Sequence, residues 1–149
     1  MLLPLVCDQY GGIGPPGKGI MNTHTTNALG VAIRSVFLEC RQWRDKTAGV
    51  TYTSAALSIN GRGVAYFALQ PYGLENMEDT VGLYLERVGI LPGPSDLRHL
   101  SYRMRDLGAD YYTATEWRIR RECWLSGEQL TAEELRAELS ADYFRRVAL

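Results

Sequence analysis

The chain contains two histidines, and each begins a triplet that ends in a hydroxyl-bearing residue. The first triplet occupies residues 24–26 and the second occupies residues 99–101. Two imidazoles and two hydroxyls are a sufficient set for cleaving a phosphodiester, because one histidine can act as a general base while the other acts as a general acid. The side chains that would carry this chemistry are His24, Thr26, His99 and Ser101.

Paired H-x-[T/S] triplets resemble those of the two-histidine phosphoesterases, in which two histidines and two hydroxyls flank a cyclic or bridging phosphate. The resemblance covers six residues and implies a phosphoesterase. In that family both triplets lie on adjacent strands. Here the pattern around His99 predicts a helix with His99, Arg103 and Asp106 on its outer face, and His24 falls in or beside a polar leader. Phosphoesterase activity is therefore one of three functional hypotheses.

The leader, residues 1–24, is rich in glycine and proline, and we predict irregular coil there. Gly12, Gly17 and Lys18 match most of the nucleotide-binding pattern G-x-x-x-x-G-K-[ST]. Gly19 stands where a serine or threonine hydroxyl would bind the magnesium ion of the nucleotide. We therefore predict no nucleotide binding and no cofactor.

The length and composition of the chain are those of one ordinary domain, which we place at residues 25–149. The chain has 149 residues, with 16 basic against 17 acidic side chains, so its overall charge does not attract nucleic acid or an anionic membrane. Its three cysteines are widely spaced, which excludes a disulfide framework and a zinc site. No apolar run approaches the roughly 20 residues of a membrane span. We expect a soluble, cytoplasmic protein without a bound metal.

Helical spacing of apolar residues predicts about four helices, over residues 27–43, 77–88, 96–107 and 131–149. Asn76 is the expected N-cap of the second helix, and Gly108 ends the third. The last helix starts with a capping box formed by Thr131 and Glu134.

Two segments predict strands. Asn60-Gly61 separates two runs of β-branched and aromatic residues, 50–59 and 62–70, and this dipeptide favours a tight hairpin turn. Residues 111–125 alternate as one long strand, with Trp117 directed into the core. The predicted fold is α+β, a small antiparallel sheet made of the hairpin and the long strand, packed with the helices.

Arginine and aromatic residues are interleaved between residues 98 and 124. Arginine with aromatic side chains suits nucleic-acid binding through phosphate contacts and base stacking. It equally suits a protein interface, where Tyr, Trp and Arg are common hot spots. A third interpretation is that the charges only pair with a neighbouring strand. The candidate binding residues are Arg98, Tyr102, Arg103, Arg105, Tyr112, Arg118, Arg120 and Trp124.

We therefore expect a small non-enzymatic binding module that docks on a protein or ribonucleoprotein through this Arg/aromatic surface. Small proteins without catalytic motifs are often phage- or mobile-element-encoded accessories or inhibitors, and that origin is a prior expectation only. A nucleic-acid-binding protein that uses the same surface is the first alternative, and the phosphoesterase is the second. The sequence alone does not identify the partner or the oligomeric state.

Overall fold

The computed structural model describes residues 27–93 and 98–148, and the side chains of those ranges up to residue 140. The predicted leader, with His24 and Thr26, lies outside them. The elements in chain order are β1 (Ser35–Asp45), β2 (Val50–Ile59), β3 (Arg62–Pro71), α1 (Gly73–Arg87), α2 (Leu100–Leu107), β4 (Asp110–Trp117), a 3₁₀ turn (Arg120–Glu122) and α3 (Ala132–Ala148).

The four described strands form one sheet in the order β3-β2-β1-β4. β2 is antiparallel to both β1 and β3, whereas β4 runs parallel to β1. The chain leaves β3, passes through α1 and α2, and returns beside β1, which is the crossover that a parallel neighbour requires. The predicted α+β class is confirmed, but the sheet is mixed rather than antiparallel, and the described residues contain three α-helices instead of about four.

The helix predicted over residues 27–43 is wrong, because most of that segment is strand β1. Val36, Leu38 and Cys40 alternate toward the core and are fully buried. β1 pairs with β2 from Val36 to Asp45. The apolar positions fit a helical spacing and a two-residue alternation alike, and pairing with strands on both sides selects the strand.

The predicted hairpin is confirmed, and its turn also holds the chain that leads into β1. Asn60 and Gly61 both have positive φ, 53° and 81°. The Asn60 side chain accepts hydrogen bonds from the backbone N–H groups of Arg34 (2.7 Å) and Ser35 (3.2 Å), and its amide donates to the carbonyl of Ala32 (2.8 Å). One turn residue therefore connects two distant segments.

α1 packs one apolar face on the sheet, as its spacing predicts, but it begins before the predicted start. Asn76 is not its N-cap; it lies inside the helix, and its amide donates to the carbonyl of Pro71 (2.9 Å). Tyr84 is only 1 % exposed, and its hydroxyl donates to the carbonyl of Leu130 (2.8 Å). None of the helices in the described ranges is long and apolar enough to cross a membrane.

The long strand predicted over residues 111–125 is shorter in the structure. β4 ends at Trp117, and the chain then turns through the 3₁₀ segment. Trp117 is 61 % exposed and Ile119 is 46 % exposed, so the expected burial of Trp117 is wrong. Trp117 pairs with Gln42 near the end of β1, where the helices do not cover the sheet.

The capping box of α3 is confirmed. The backbone N–H of Thr131 donates to the Glu134 carboxylate (2.9 Å), and the N–H of Glu134 donates to the Thr131 hydroxyl (3.2 Å). This local motif fixes the start of α3, and Leu135 in its first turn is fully buried.

Candidate functional site

The predicted Arg/aromatic residues do not form one surface. Those in α2 or just before it contact residues of the same region: Arg98 pairs with Asp106 (2.7 Å), and the guanidinium of Arg105 lies 5.1 Å from the ring centre of Tyr102. Tyr102 is half exposed. The remaining members, Tyr112, Arg118, Arg120 and Trp124, lie on or over the sheet.

Arg103 is buried rather than part of a binding surface. Its side chain is 6 % exposed and pairs with Glu86 of α1 (2.8 Å), and it also donates to the carbonyl of Pro92 (2.8 Å). The guanidinium lies close to the backbone of α1, since a Cβ built at Gly82 would be 3.4 Å from it. Arg103 therefore stabilises the contact between α1 and α2.

We call the side of the sheet that faces away from α1 and α2 the open face. Side chains on a strand alternate between the two faces, and the register between strands identifies those that share the open face. They are Phe37, Glu39, Arg41 and Trp43 of β1; Tyr52, Ser54, Ala56 and Ser58 of β2; Tyr66 of β3; and Tyr112, Ala114 and Glu116 of β4.

Residues 118–130, which we call the strap, cross the open face from β4 to the outer edge of β3. Trp124 holds the strap on the sheet: its backbone N–H donates to the Ser54 hydroxyl (3.0 Å), and the Arg41 guanidinium lies 4.1 Å from the centre of its ring. Arg41 also donates to the carbonyl of Glu122 (2.6 Å). Trp124 and Arg41 are thus engaged with each other inside the chain.

The arginines of the strap are engaged in the same way. Arg118 pairs with Glu116 (2.6 Å) and more loosely with Glu122 (3.7 Å). The guanidinium of Arg120 lies 5.8 Å from the centre of the Trp43 ring. In this half of the open face Arg118 therefore pairs with acidic neighbours, as expected when strand charges pair with each other, whereas Arg41 and Arg120 lie against tryptophan rings.

The other half of the open face has a different character, and we call it the aromatic patch. Phe37 and Tyr112 are register partners on β1 and β4 and are 37 % and 57 % exposed. Tyr66 is 43 % exposed, and its ring centre lies 5.9 Å from that of Trp124, so the patch borders the strap there. Small residues separate the rings: Ala56, Ser58 and Ala114.

Glu39 lies in the middle of the aromatic patch. Its register partners are Ala56 on one side and Ala114 on the other, and its side chain is half-buried. Within residues 27–93 and 98–140, its carboxylate has no ion pair or hydrogen bond. A half-buried carboxylate without a partner loses hydration without compensation, so it favours an incoming cation.

A second cluster joins three elements on the opposite side of the sheet. Glu78 of α1 is 6 % exposed; it accepts from the Tyr111 hydroxyl of β4 (2.7 Å) and lies 3.0 Å from Nε2 of His99. Nδ1 of His99 accepts from the Ser101 N–H (3.1 Å) and lies 2.8 Å from the Ser101 hydroxyl. Burial, followed by the Glu78 hydrogen bond, raises the pKa of Tyr111 far above its ordinary value.

The predicted outer position of His99 on a helix is therefore corrected, because His99 is the N-cap of α2. Since Nδ1 accepts from a backbone N–H, the proton of the neutral ring is on Nε2, where it donates to Glu78. The structure thus brings His99 and Ser101 together, and Glu78 is the partner that sequence reasoning missed. The sequence did contain a sign of this: Glu78 falls at the same helical spacing as the buried Val81 and Leu85, which predicts that its carboxylate is buried too.

The described cysteines do not add a reactive thiol. Burial raises the pKa of the Cys40 thiol to about 12, and burial also raises the pKa of Cys123. Among the described residues, no group of three or more histidine, cysteine and acidic side chains is arranged to hold a metal ion.

Comparison with known proteins gives no relative: no family model, no curated protein and no solved structure matches this chain.

Proposed function

We propose that this protein is a non-enzymatic binding module that docks on a partner protein through the aromatic patch. The observation that carries the proposal is the Glu39 carboxylate, which lies between Phe37, Tyr112 and Tyr66 and has no partner in the described part of the chain. Such a site fits an Arg or Lys side chain of the partner, with its ammonium or guanidinium on Glu39 and its methylene stem against the rings.

The same observation favours protein over nucleic acid. A phosphate approaching the patch would meet the negative charge of Glu39, while the nearby Arg41 is held by the Trp124 ring and the Glu122 carbonyl, and Arg118 by Glu116. Nucleic-acid binding instead needs unpaired cations beside exposed rings. The docked group is therefore a basic segment of a protein, flanked by apolar residues that cover Phe37 and Tyr112.

A photo-crosslinking amino acid placed at position 112 tests the proposal in lysate of the source organism. We expect one protein to be cross-linked from position 112 and none from position 102, an equally exposed tyrosine position on α2. Glu39→Lys should abolish cross-linking from position 112, whereas Glu133→Lys, a charge reversal on α3, should leave it intact.

Two results would contradict this function. Cross-linking that survives Glu39→Lys shows that the carboxylate is not the recognition group. Co-purifying nucleic acid, detected by the 260/280 nm absorbance ratio and retained more strongly by Glu39→Lys, would assign the patch to nucleic acid.

A second candidate function rests on the chain of hydrogen bonds from Glu78 through His99 to Ser101. In this arrangement the buried carboxylate holds the imidazole in the tautomer whose Nδ1 can accept the Ser101 hydroxyl proton, as a general base does. Ser101 Oγ would attack a phosphoryl or acyl group, its proton would pass to Nδ1, and the leaving group would depart.

A fluorophosphonate probe tests this second candidate directly. The Oγ–P bond would form, fluoride would leave, and the labelled peptide would contain Ser101. Labelling should be lost in Ser101→Ala and His99→Ala and retained in Ser126→Ala, which removes an exposed serine in the strap. An unlabelled wild-type protein rules out a nucleophilic Ser101.

A further inference from the structure

The two edge strands of the sheet, β3 and β4, differ in whether their outer backbone groups are hydrogen-bonded. The outer edge of β3 is covered by the strap: Tyr66 and Leu69 donate backbone hydrogen bonds to the carbonyls of Glu128 (2.7 Å) and Trp124 (3.2 Å). The outer edge of β4 has no backbone partner in the described part of the chain. Natural edge strands are normally covered, bulged or protected by charges or proline. β4 has no lysine, no proline and no bulge in its pairing with β1, and its charges, Asp110 and Glu116, lie at or near its two ends.

The backbone groups that β4 offers to a neighbour can be identified from its pairing with β1. The N–H of Asp110 donates to the carbonyl of Arg34 (2.9 Å), and the N–H of Arg118 donates to the carbonyl of Gln42 (2.8 Å). Even-numbered residues therefore bond to β1. The groups directed outward belong to the odd-numbered residues Tyr111, Thr113, Thr115 and Trp117.

We infer that β4 pairs in an antiparallel manner with β4 of a second copy of this chain. A two-fold axis perpendicular to the sheet would place Ala114 opposite its own copy and join the two sheets into one. The outward groups of Thr113 would then bond to those of Thr115 of the other copy, and those of Tyr111 to those of Trp117. A self-complementary edge is what a two-fold interface requires.

Charge selects this register. It places Asp110 opposite Arg118 of the other copy at both ends of the interface, where Arg118 would face Asp110 in addition to Glu116 of its own chain. A shift by two residues, with Thr113 opposite its own copy, would place Asp110 opposite Glu116, and like charges directly opposite are destabilising. The Asp110 carboxylate has no partner among the described residues, so the dimer supplies one.

The dimer also accounts for the exposed Trp117. This ring is on the helix side of the sheet, 61 % exposed, and its opposite residue in the proposed register is Tyr111 of the other copy. Cross-strand aromatic pairs stabilise sheets. The two open faces would lie on the same side of the joined sheet, so the two aromatic patches would form one continuous surface; the dimer itself is independent of what binds there.

A proline at an outward position tests the pairing without disturbing the monomer. Thr113→Pro removes an N–H that points away from β1, and proline is tolerated on edge strands in that orientation. By sedimentation equilibrium we expect the wild type to have twice its 16.7 kDa chain mass and Thr113→Pro to have the monomer mass with an unchanged circular dichroism spectrum. Thr113→Val, which keeps the N–H, should remain a dimer.

A cysteine at the symmetry axis tests the register. Ala114 faces its copy at a non-hydrogen-bonded pair, where the Cβ atoms are close enough for a disulfide. Cys40 and Cys123 are buried, and the third cysteine, Cys7, is replaced by serine for this test. Ala114→Cys should then form covalent dimers on oxidation, and Thr113→Cys and Thr115→Cys should form few. More efficient cross-linking from either threonine position would overturn the register.

A charge swap tests the proposed contact between Asp110 and Arg118 of the other copy. Asp110→Arg should weaken the dimer at least tenfold, and Asp110→Arg combined with Arg118→Asp should restore it. A wild-type protein that remains monomeric at every concentration measured, or a Thr113→Pro variant that dimerises like the wild type, refutes the proposal.

Discussion

The Tyr111 hydroxyl donates a hydrogen bond to the buried Glu78 carboxylate at 2.7 Å, and this contact joins β4 to α1. The other carboxylate oxygen lies 3.0 Å from Nε2 of His99, so a single acidic side chain holds three elements together. Removing one donor from a buried carboxylate leaves it partly unsatisfied, which is more costly than the hydrogen bond is worth in isolation.

We therefore expect Tyr111→Phe to lower the free energy of unfolding by about 1–3 kcal/mol. Tyr112→Phe removes the same hydroxyl from the next residue, on the open face, and should change it by less than about 0.5 kcal/mol. Urea denaturation measures both. Equal effects of the two substitutions would show that the Glu78 contact contributes nothing to stability.

Alkaline pH should destabilise the fold through groups that are buried in their neutral form. Burial raises the pKa of Tyr84 from 10.0 to about 12 and that of Cys40 from 9.0 to about 12. Because both pKa values are higher in the folded state, their contribution is complete below pH 9 and is lost as the pH rises through 12. Thermal melts between pH 8 and 12 should show a shallower decline for Tyr84→Phe than for Tyr102→Phe, which alters an exposed ring.

The hairpin turn separates the contribution of a side chain from that of backbone conformation. Asn60→Gly keeps a residue that tolerates positive φ but removes the hydrogen bonds to Ala32, Arg34 and Ser35, so we expect a loss of about 2–4 kcal/mol. Gly61→Ala places a Cβ in open space at φ 81°, so only the backbone penalty of about 1–2 kcal/mol applies. A larger loss for Gly61→Ala would reverse the assigned roles.

Thr131→Ala should cost about 1 kcal/mol, because it removes the hydroxyl that accepts from the Glu134 N–H at the start of α3. The neighbouring Glu133→Ala leaves both bonds of the capping box intact and should have a much smaller effect. Chemical denaturation of the two variants gives the comparison. If Thr131→Ala is as stable as the wild type, the capping box has no energetic role.

Features that depend on a few adjacent residues could be predicted from the sequence. The hairpin follows from Asn60-Gly61, because that dipeptide tolerates the two positive φ values of a tight turn. The start of α3 follows from the capping box, and the end of α2 follows from Gly108, which adopts φ 87°. The buried stripe of α1 follows from helical spacing alone.

Features that depend on distant partners required the tertiary structure. The apolar residues of β1 fit a helix equally well, and only hydrogen bonding to β2 and β4 makes the segment a strand. Trp117 lies on the helix side of β4, as the alternation of side chains predicts, yet it is exposed because the helices do not cover the end of that strand. Arg103 is buried because Glu86 of α1 and the carbonyl of Pro92 bind its guanidinium.

The candidate site shows the same division. The sequence grouped His99 and Ser101 with His24 and Thr26 as two triplets and placed Tyr112 among the binding residues, but it did not place a serine nucleophile beside either histidine. It could not identify Glu39 or Phe37, because an open sheet face exists only once the register brings β1 beside β2 and β4. Local φ preferences and caps act within a few residues and are readable in the sequence, whereas burial, pairing and exposure are set by contacts between residues far apart in the chain.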